Sequence, residues 1–220
     1  MVIWGRANLS SPNTFMKNKV CIAVPTRSGN IYFELAMRLM SWANQKTIPT
    51  MIMIEPFSAP VDHARNQIVK RFLSTDCTHL MMIDDDIVPP VDALERLLFH
   101  DKEIVAAACP MIGPDKKGKL VVSYNAYTMD ENDISRPLLD GNGLAEVDAV
   151  GTGCIMIKRE VLENMHAVAP FLTRYDDATG IKYMGEDIYF CKLASDMIID
   201  IYSDFKLKCK HIKSCNLLEL

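Results

Sequence analysis

The chain lacks most of the features that mark a specialised class of protein. Its 220 residues include 10 glycines and 11 prolines, too few for a collagen-like or low-complexity chain, and no internal repeat is present. Its seven cysteines are odd in number and contain no CxxC pair. Cys21, Cys77, Cys109, Cys154, Cys191, Cys209 and Cys215 mostly lie inside apolar segments, which reads as reduced core thiols rather than a disulfide framework. Cys209, His211 and Cys215 cluster near the end, but a fourth ligand and a standard zinc spacing are missing. No apolar run reaches transmembrane length, and Met1 to Lys19 lacks the apolar core of a signal peptide. The expectation is a soluble, unprocessed cytoplasmic protein with no membrane association. Positive charge is also scarce: the formal net charge is -4 and the pI about 5.7, so no global pull towards nucleic acid exists.

What is present is a globular composition, 49% hydrophobic and 24% charged, long enough for one domain with a substantial core. Lys19 to Thr26 is an apolar strand closed by Pro25, followed by the helix-starting turn Arg27-Ser28-Gly29-Asn30. The next helix has Phe33, Met37 and Met40 on one face. Thr50 to Phe57 reads as a second strand and His63 to Leu73 as a helix with the stripe Ile68, Val69, Phe72 and Leu73. Leu80 to Ile83 is a third strand, and the helix after Pro90 turns Val91, Leu94, Leu97 and Leu98 inward. Glu103 to Met111 supplies a fourth strand. The alternation predicts an α/β fold with a mainly parallel sheet and helices on both faces.

Gly113 to Gly143 breaks that rhythm and reads as a mostly polar excursion over the site, with a strand within Leu120 to Tyr127. Val147 to Ile157 resumes as strand, Lys158 to His166 as helix, Glu186 to Met197 as helix and Ile198 to Tyr202 as a short strand. Phe205 to Lys213 alternates lysines with apolar residues, the pattern of an edge strand with its lysines outward.

The candidate chemistry centres on Asp84-Asp85-Asp86. An uninterrupted apolar run such as Leu80 to Ile83 is that of a strand buried on both faces, so the acids sit at its carboxyl end, where open α/β sheets bind ligands. Adjacent carboxylates repel, and a divalent cation with oxygen ligands relieves that repulsion; an acidic turn capping a helix accounts for the triplet equally well. Pro25-Thr26-Arg27 ends the first strand where a helix start and a guanidinium suit phosphate or base, although a plain turn has the same sequence. In Gly151-Thr152-Gly153 the glycines interrupt a strand, as a bulge or a close approach to the backbone would. Glu186-Asp187 opens a helix, where acids also complement the dipole.

Taken in order, Val24-Pro25-Thr26, Asp84-Asp85-Asp86, Asp148 to Arg159 with its Gly-x-Gly, Gly185-Glu186-Asp187 and His211 resemble the GT-A nucleotide-sugar glycosyltransferases. The family 2-like group and its small phage-encoded members are the nearest pattern, over roughly residues 19–212. The resemblance implies a GT-A (Rossmann-like) catalytic domain over 19–220 behind an N-terminal extension, 1–18. It implies transfer of one sugar from a nucleoside diphosphate sugar, a UDP-sugar favoured, with Mn2+ or Mg2+ held by Asp84, Asp86 and His211. Asp84 also faces the ribose or a metal-bound water on this pattern, and Asp85 tunes the loop. Asp187, beside Glu186, corresponds to the general base of inverting members. Donor binding falls to Pro25, Thr26, Arg27, Glu55, Arg65, Asn66, Asp84 and Asp85; the acceptor side falls to Gly151, Thr152 and Gly153, with Tyr124 and Tyr127 nearby.

Two departures from the pattern stand out. Glu55-Pro56-Phe57 replaces the usual base-binding Asp, and the Gln-x-x-Arg-Trp of processive polymerases is absent, which favours a single transfer. For a phage enzyme, working in the host cytoplasm, the acceptor class includes hydroxymethylated pyrimidines in DNA. Lys116, Lys117, Lys119, Lys206, Lys208, Lys210 and Lys213 would then supply local positive charge. A sugar nucleotidyltransferase is disfavoured by the glycine-poor first loop, and a non-catalytic nucleotide- or sugar-binding module has no need of a base beside a metal site.

Overall fold

The computed structural model describes residues 18–57, 59–114, 117–131, 134–165 and 169–213. Nearly all of the expected N-terminal extension, together with Lys116, Cys215 and the His166 end of a predicted helix, lies outside the described residues. In chain order the elements are β1 (Val20–Thr26), α1 (Phe33–Asn44), β2 (Thr50–Pro56), α2 (Val61–Leu73), β3 (His79–Ile83), β4 (Ile87–Val88), α3 (Ala93–Phe99), β5 (Ile104–Ala108), β6 (Pro110–Pro114) and β7 (Leu120–Tyr124). They continue with β8 (Ala126–Met129), β9 (Ser135–Pro137), β10 (Leu144–Val147), β11 (Ala149–Val150), β12 (Cys154–Lys158), α4 (Arg159–Asn164), β13 (Arg174–Tyr175), β14 (Lys182–Met184), α5 (Glu186–Asp196), β15 (Ile201–Lys208) and β16 (Lys210–His211).

The central sheet has seven strands in the order β10-β15-β5-β12-β3-β1-β2. β1 pairs in parallel with both β2 and β3, and β15 with β5, whereas β12 runs against β3 and β5, and β10 against β15. The fold is thus mixed α/β with a mainly parallel sheet. Every residue of β1, β3 and β5 is buried, because helices cover both faces. Cys21, Ala23, Leu80 and Met82 point to the layer of α2, α4 and α5, while Val20, Ile22, Val24, Met81 and Ile83 point to that of α1 and α3. That alternation, with both sets apolar, is why these strands read as continuous hydrophobic runs.

Several expectations need correcting. On α1 the buried side chains are Leu35, Leu39 and Trp42, and Phe33 is 76% exposed with Met37 and Met40 beside it. The helix carries two apolar stripes at the same spacing, and periodicity alone does not choose between them. Val91 is exposed, since α3 begins only at Ala93. The predicted edge strand is divided between the end of β15, which lies one place in from the edge between β10 and β5, and β16, which pairs with β4; the register of β15 slips between Asp204 and Lys208, and Lys206 and Lys208 do point outward. The 113–143 stretch contains strand pairings, β6 with β7 and β8 with β9, and the ring of Phe205 lies against Gly141.

Two side-chain clusters brace the fold. Arg159 caps the end of α2, donating to the carbonyls of Phe72, Leu73, Thr75 and Cys77, which supplies the acceptors left over at a helix C-terminus with partners. Asp204 is 1% exposed and accepts hydrogen bonds from Arg96 at 2.7 Å and His100 at 2.8 Å.

Candidate functional site

Strand order creates the cleft. The chain leaves β1 towards β2 on one side and returns through α2 to β3 on the other, so the carboxyl ends of β1 and β3 part at a topological switch point. Ala23 lies opposite Met82, and continuing that register brings Thr26 and Asp85 out of the sheet together. A cleft of about 560 Å³ opens there, lined by Pro25, Thr26, Arg27, Arg65, Asp84, Asp85, Asp86, His211 and Lys213 among others. Its volume suits a nucleotide-sized ligand.

The acid loop is held from both sides. The Asp84 amide donates to the Gly153 carbonyl at 3.1 Å, and the Ile87 amide turns back to the Asp84 carbonyl at 3.0 Å. β4 then pairs with β16, and the Ile212 amide donates to the Asp86 carbonyl at 2.9 Å. This pairing carries the late part of the chain into the cleft. His211 Nε2 lies 3.1 Å from Asp86 Oδ2, and Lys213 Nζ donates to the same oxygen at 2.7 Å. His211 Nδ1 lies 2.6 Å from the Pro110 carbonyl. A carbonyl can only accept, so Nδ1 carries a proton and Nε2 faces the acid, the arrangement that orients a metal-binding imidazole. Burial pushes the Asp85 carboxyl up, opposed by Thr26 and reinforced by Asp86 and Asp84.

Arg65, from the second turn of α2, is 4% exposed. Its Nη2 donates to Asp84 Oδ1 at 2.9 Å and its Nη1 to Glu186 Oε1. Next along α5, Asp187 is half-buried beside the unbranched wall of Gly151 and Gly185. A methyl group built at Gly185 would come 2.6 Å from Asp187 Oδ1, and one at Gly151 would come 3.5 Å from Oδ2. Burial raises the Asp187 carboxyl and Glu186 adds repulsion, while Arg65 and the backbone amide of Ile188 oppose the rise.

The structure therefore brings Pro25, Thr26, Arg27, Arg65, Asp84, Asp85, Asp86 and His211 to one cleft, and ties Glu186 to it through Arg65. Glu55 and Asn66 are not among its lining residues. Glu55 meets Arg71, and Asn66 exchanges two hydrogen bonds with the backbone of Phe171. Gly151, Thr152 and Gly153 form the turn behind the acids: a methyl at Gly153 would press on Cys109 Sγ at 3.3 Å, and the buried Thr152 hydroxyl has no partner among the described residues. Tyr127 is near enough to Asp187 that burial, with that acid's charge, pushes its hydroxyl up. Tyr124 instead packs edge-on against Phe205, ring centroids 5.8 Å apart.

Three contributors escaped the sequence reading. Asn125 is a buried node: its Oδ1 accepts from the Cys109 amide at 2.7 Å and its Nδ2 donates to the Gly151 carbonyl at 3.2 Å, which fixes the Gly151 turn. Its one signal is a lone amide between two apolar strand segments. Lys213 counted only as surface charge. Phe57, 76% exposed at φ 56°, lays its ring over Gly29, where an added methyl would come within 2.6 Å; Gly29 itself has φ 77°, a conformation that favours glycine.

Among the described residues no cluster of three or more His, Cys, Asp or Glu side chains could hold a metal ion. Asp86 and His211 offer one carboxylate oxygen and one imidazole nitrogen to the cleft, a donor pair suited to Mn2+ or Mg2+ when a bound diphosphate and water complete the shell. Asp84 already has one oxygen committed to Arg65. No helix among the described residues is long and apolar enough to cross a membrane.

No protein-family model and no curated protein matches the sequence. Solved structures do match the fold. A197 from STIV superposes with a TM-score of 0.57 at 20% identity, over 89% of this chain and 86% of that one. GalNAc-T7, solved with UDP, GalNAc and Mn2+, gives 0.54 at 11% identity, over 90% of this chain. The chain corresponds to 44% of that larger protein. The likeness is one of fold, a mixed α/β sheet of GT-A type flanked by helices.

Proposed function

We propose that this protein is a glycosyltransferase that moves one sugar from a nucleoside diphosphate sugar to an acceptor hydroxyl, with inversion. The observation that carries the reading is the single cleft at the β1/β3 switch point, where the acid triplet, His211 and Lys213 meet and from which Arg65 reaches Glu186 beside Asp187. A binding module would not need a half-buried carboxylate of raised pKa tied through Glu186 and Arg65 to a nucleotide-sized cleft.

Pro25, Thr26 and Arg27 line the donor side, and Arg27 and Lys213 offer cationic partners for the diphosphate. A divalent ion held by Asp86 and His211 would supply charge stabilisation to the departing diphosphate. Asp187 takes the proton of the acceptor hydroxyl; the freed oxygen bonds to the anomeric carbon as the bond from that carbon to the diphosphate oxygen breaks, and its electron pair leaves with the diphosphate. Burial and Glu186 hold the Asp187 carboxyl above the ordinary carboxylate range, which makes it a stronger base than a solvated aspartate. Gly151 borders that side, and the turn Gly151-Thr152-Gly153 would shape the acceptor site.

The acceptor we favour testing first is hydroxymethylated pyrimidine in DNA, for which the exposed Lys206, Lys208 and Lys210 give local positive charge. The test is transfer from radiolabelled UDP-, GDP- and CMP-sugars to hydroxymethylcytosine DNA, unmodified DNA and simple glycosides, with and without Mn2+. Label on none of these, with no release of nucleotide, would count against the reading; label on glycosides alone would move the acceptor away from DNA.

A further inference from the structure

Arg65 pairs directly with an acid of each acidic motif, Asp84 and Glu186. It lies 19 positions before Asp84 and 121 before Glu186, so three remote segments, α2, the end of β3 and the start of α5, converge on one guanidinium. Its side chain is 5% exposed and that of Glu186 10%, whereas Asp84 is 33% exposed and lines the cleft. The Arg65 Nε has no partner among the described residues; the two terminal nitrogens alone hold the acids.

We infer that Arg65 is a positioning residue that couples the donor half of the site to the acceptor half, with Asp84 on one arm and Glu186 on the other. The inference rests on the glycosyltransferase reading above. A planar guanidinium presents its donors in a fixed fork, so a displacement of Asp84 towards a cation, or away from a diphosphate, in the cleft is felt by Glu186 through the same rigid group. Glu186, spent on Arg65, is an anchor, and Asp187 next to it is the carboxylate left for the acceptor. One buried cation also offsets the mutual repulsion of Asp84, Glu186 and Asp187, which could not share this space without it.

Coupling of this kind is reciprocal: a change at Glu186 alters affinity at the donor cleft, although Glu186 does not line it. The test is calorimetric titration of UDP, GDP and CDP, each with Mn2+, into the intact protein and into Glu186→Gln and Glu186→Asp. Glu186→Gln is expected to shift the Kd of the preferred nucleotide by about threefold or more at unchanged stoichiometry. Glu186→Asp keeps the charge but shortens the reach to Arg65, and is expected to shift it in the same direction as Glu186→Gln. An unchanged Kd in Glu186→Gln overturns the coupling, and an effect of Glu186→Gln that Glu186→Asp does not share assigns it to bulk charge and overturns the role of the fork. In Arg65→Lys, which keeps the cation without the fork, Glu186→Gln is expected to have no further effect on Kd; an undiminished effect there contradicts the inference. If the unaltered protein binds none of the three nucleotides, the glycosyltransferase reading fails with it, whereas nucleotide binding without the Glu186 effect removes the coupling alone.

Discussion

His211 Nε2 lies 3.1 Å from the Asp86 carboxylate across 125 positions of sequence, and the Pro110 carbonyl, accepting from Nδ1, leaves the Nε2 lone pair for a cation. Replacing His211 by Ala removes one of the two proposed protein donors to the cation and leaves the fold's central sheet untouched. Mn2+ affinity in the presence of nucleotide should fall about tenfold or more, while metal-free nucleotide binding changes less. Unchanged Mn2+ affinity by calorimetry would remove His211 from the metal shell.

Gly185 precedes α5 with φ -73°, so an alanine there meets no backbone strain. Its methyl would meet Asp187 Oδ1 at 2.6 Å, and the carboxylate must move. Gly185→Ala is expected to cost under about 1 kcal/mol of stability and to slow transfer by about 10- to 100-fold through misplacement of the base. Thermal unfolding and single-turnover transfer separate the two effects; wild-type transfer rates in a well-folded variant would argue against Asp187 as base.

The pH dependence follows from the same carboxylate. With its folded pKa raised above 3.8 by burial and by Glu186, Asp187 loses its proton only above the range of an ordinary aspartate. Transfer should therefore fall, as pH is lowered, along a limb lying above pH 3.8. The stability sign is opposite to that of a paired acid: the folded state is favoured while Asp187 is protonated, and this contribution declines as pH rises from 3.8 through the raised value. Asp187→Asn should thus be no less stable than the parent at neutral pH, yet inactive in transfer.

Asp204 gives the contrasting case. Burial alone would raise its carboxyl, but hydrogen bonds from His100, the Lys206 amide and Arg96 outweigh burial and hold it below 3.8. Its contribution is complete above the unfolded value of 3.8 and is lost as pH falls through the lower folded value. Asp204→Asn is expected to cost about 2–3 kcal/mol at neutral pH, with a smaller cost in acid, as denaturant titration at several pH values would report.

What the sequence made legible were the parts with local signatures. β1 and β3 announced themselves as apolar runs because both faces are covered, and the acids at the end of β3 marked the edge where the cleft opens. Arg65 was legible as a helix-start cation suited to the donor, but not as a bridge between the two acidic motifs: its two partners come from distant segments, and no periodicity encodes such a meeting. Phe33, Met37 and Met40 competed with Leu35, Leu39 and Trp42 for the inward face of α1, a choice made by the sheet rather than by the helix. The lysine alternation of β15 resembled an edge because it does point outward, yet the polar-looking segment before it provides β10 as a further neighbour.

The most direct test of the central claim is nucleotide release. Purified protein incubated with UDP-, GDP- and CMP-sugars, with Mn2+ or with chelator, should release nucleotide from one donor class in a metal-stimulated reaction that Asp86→Ala abolishes. No release from any donor under either condition, or release indifferent to both metal and Asp86, would contradict it.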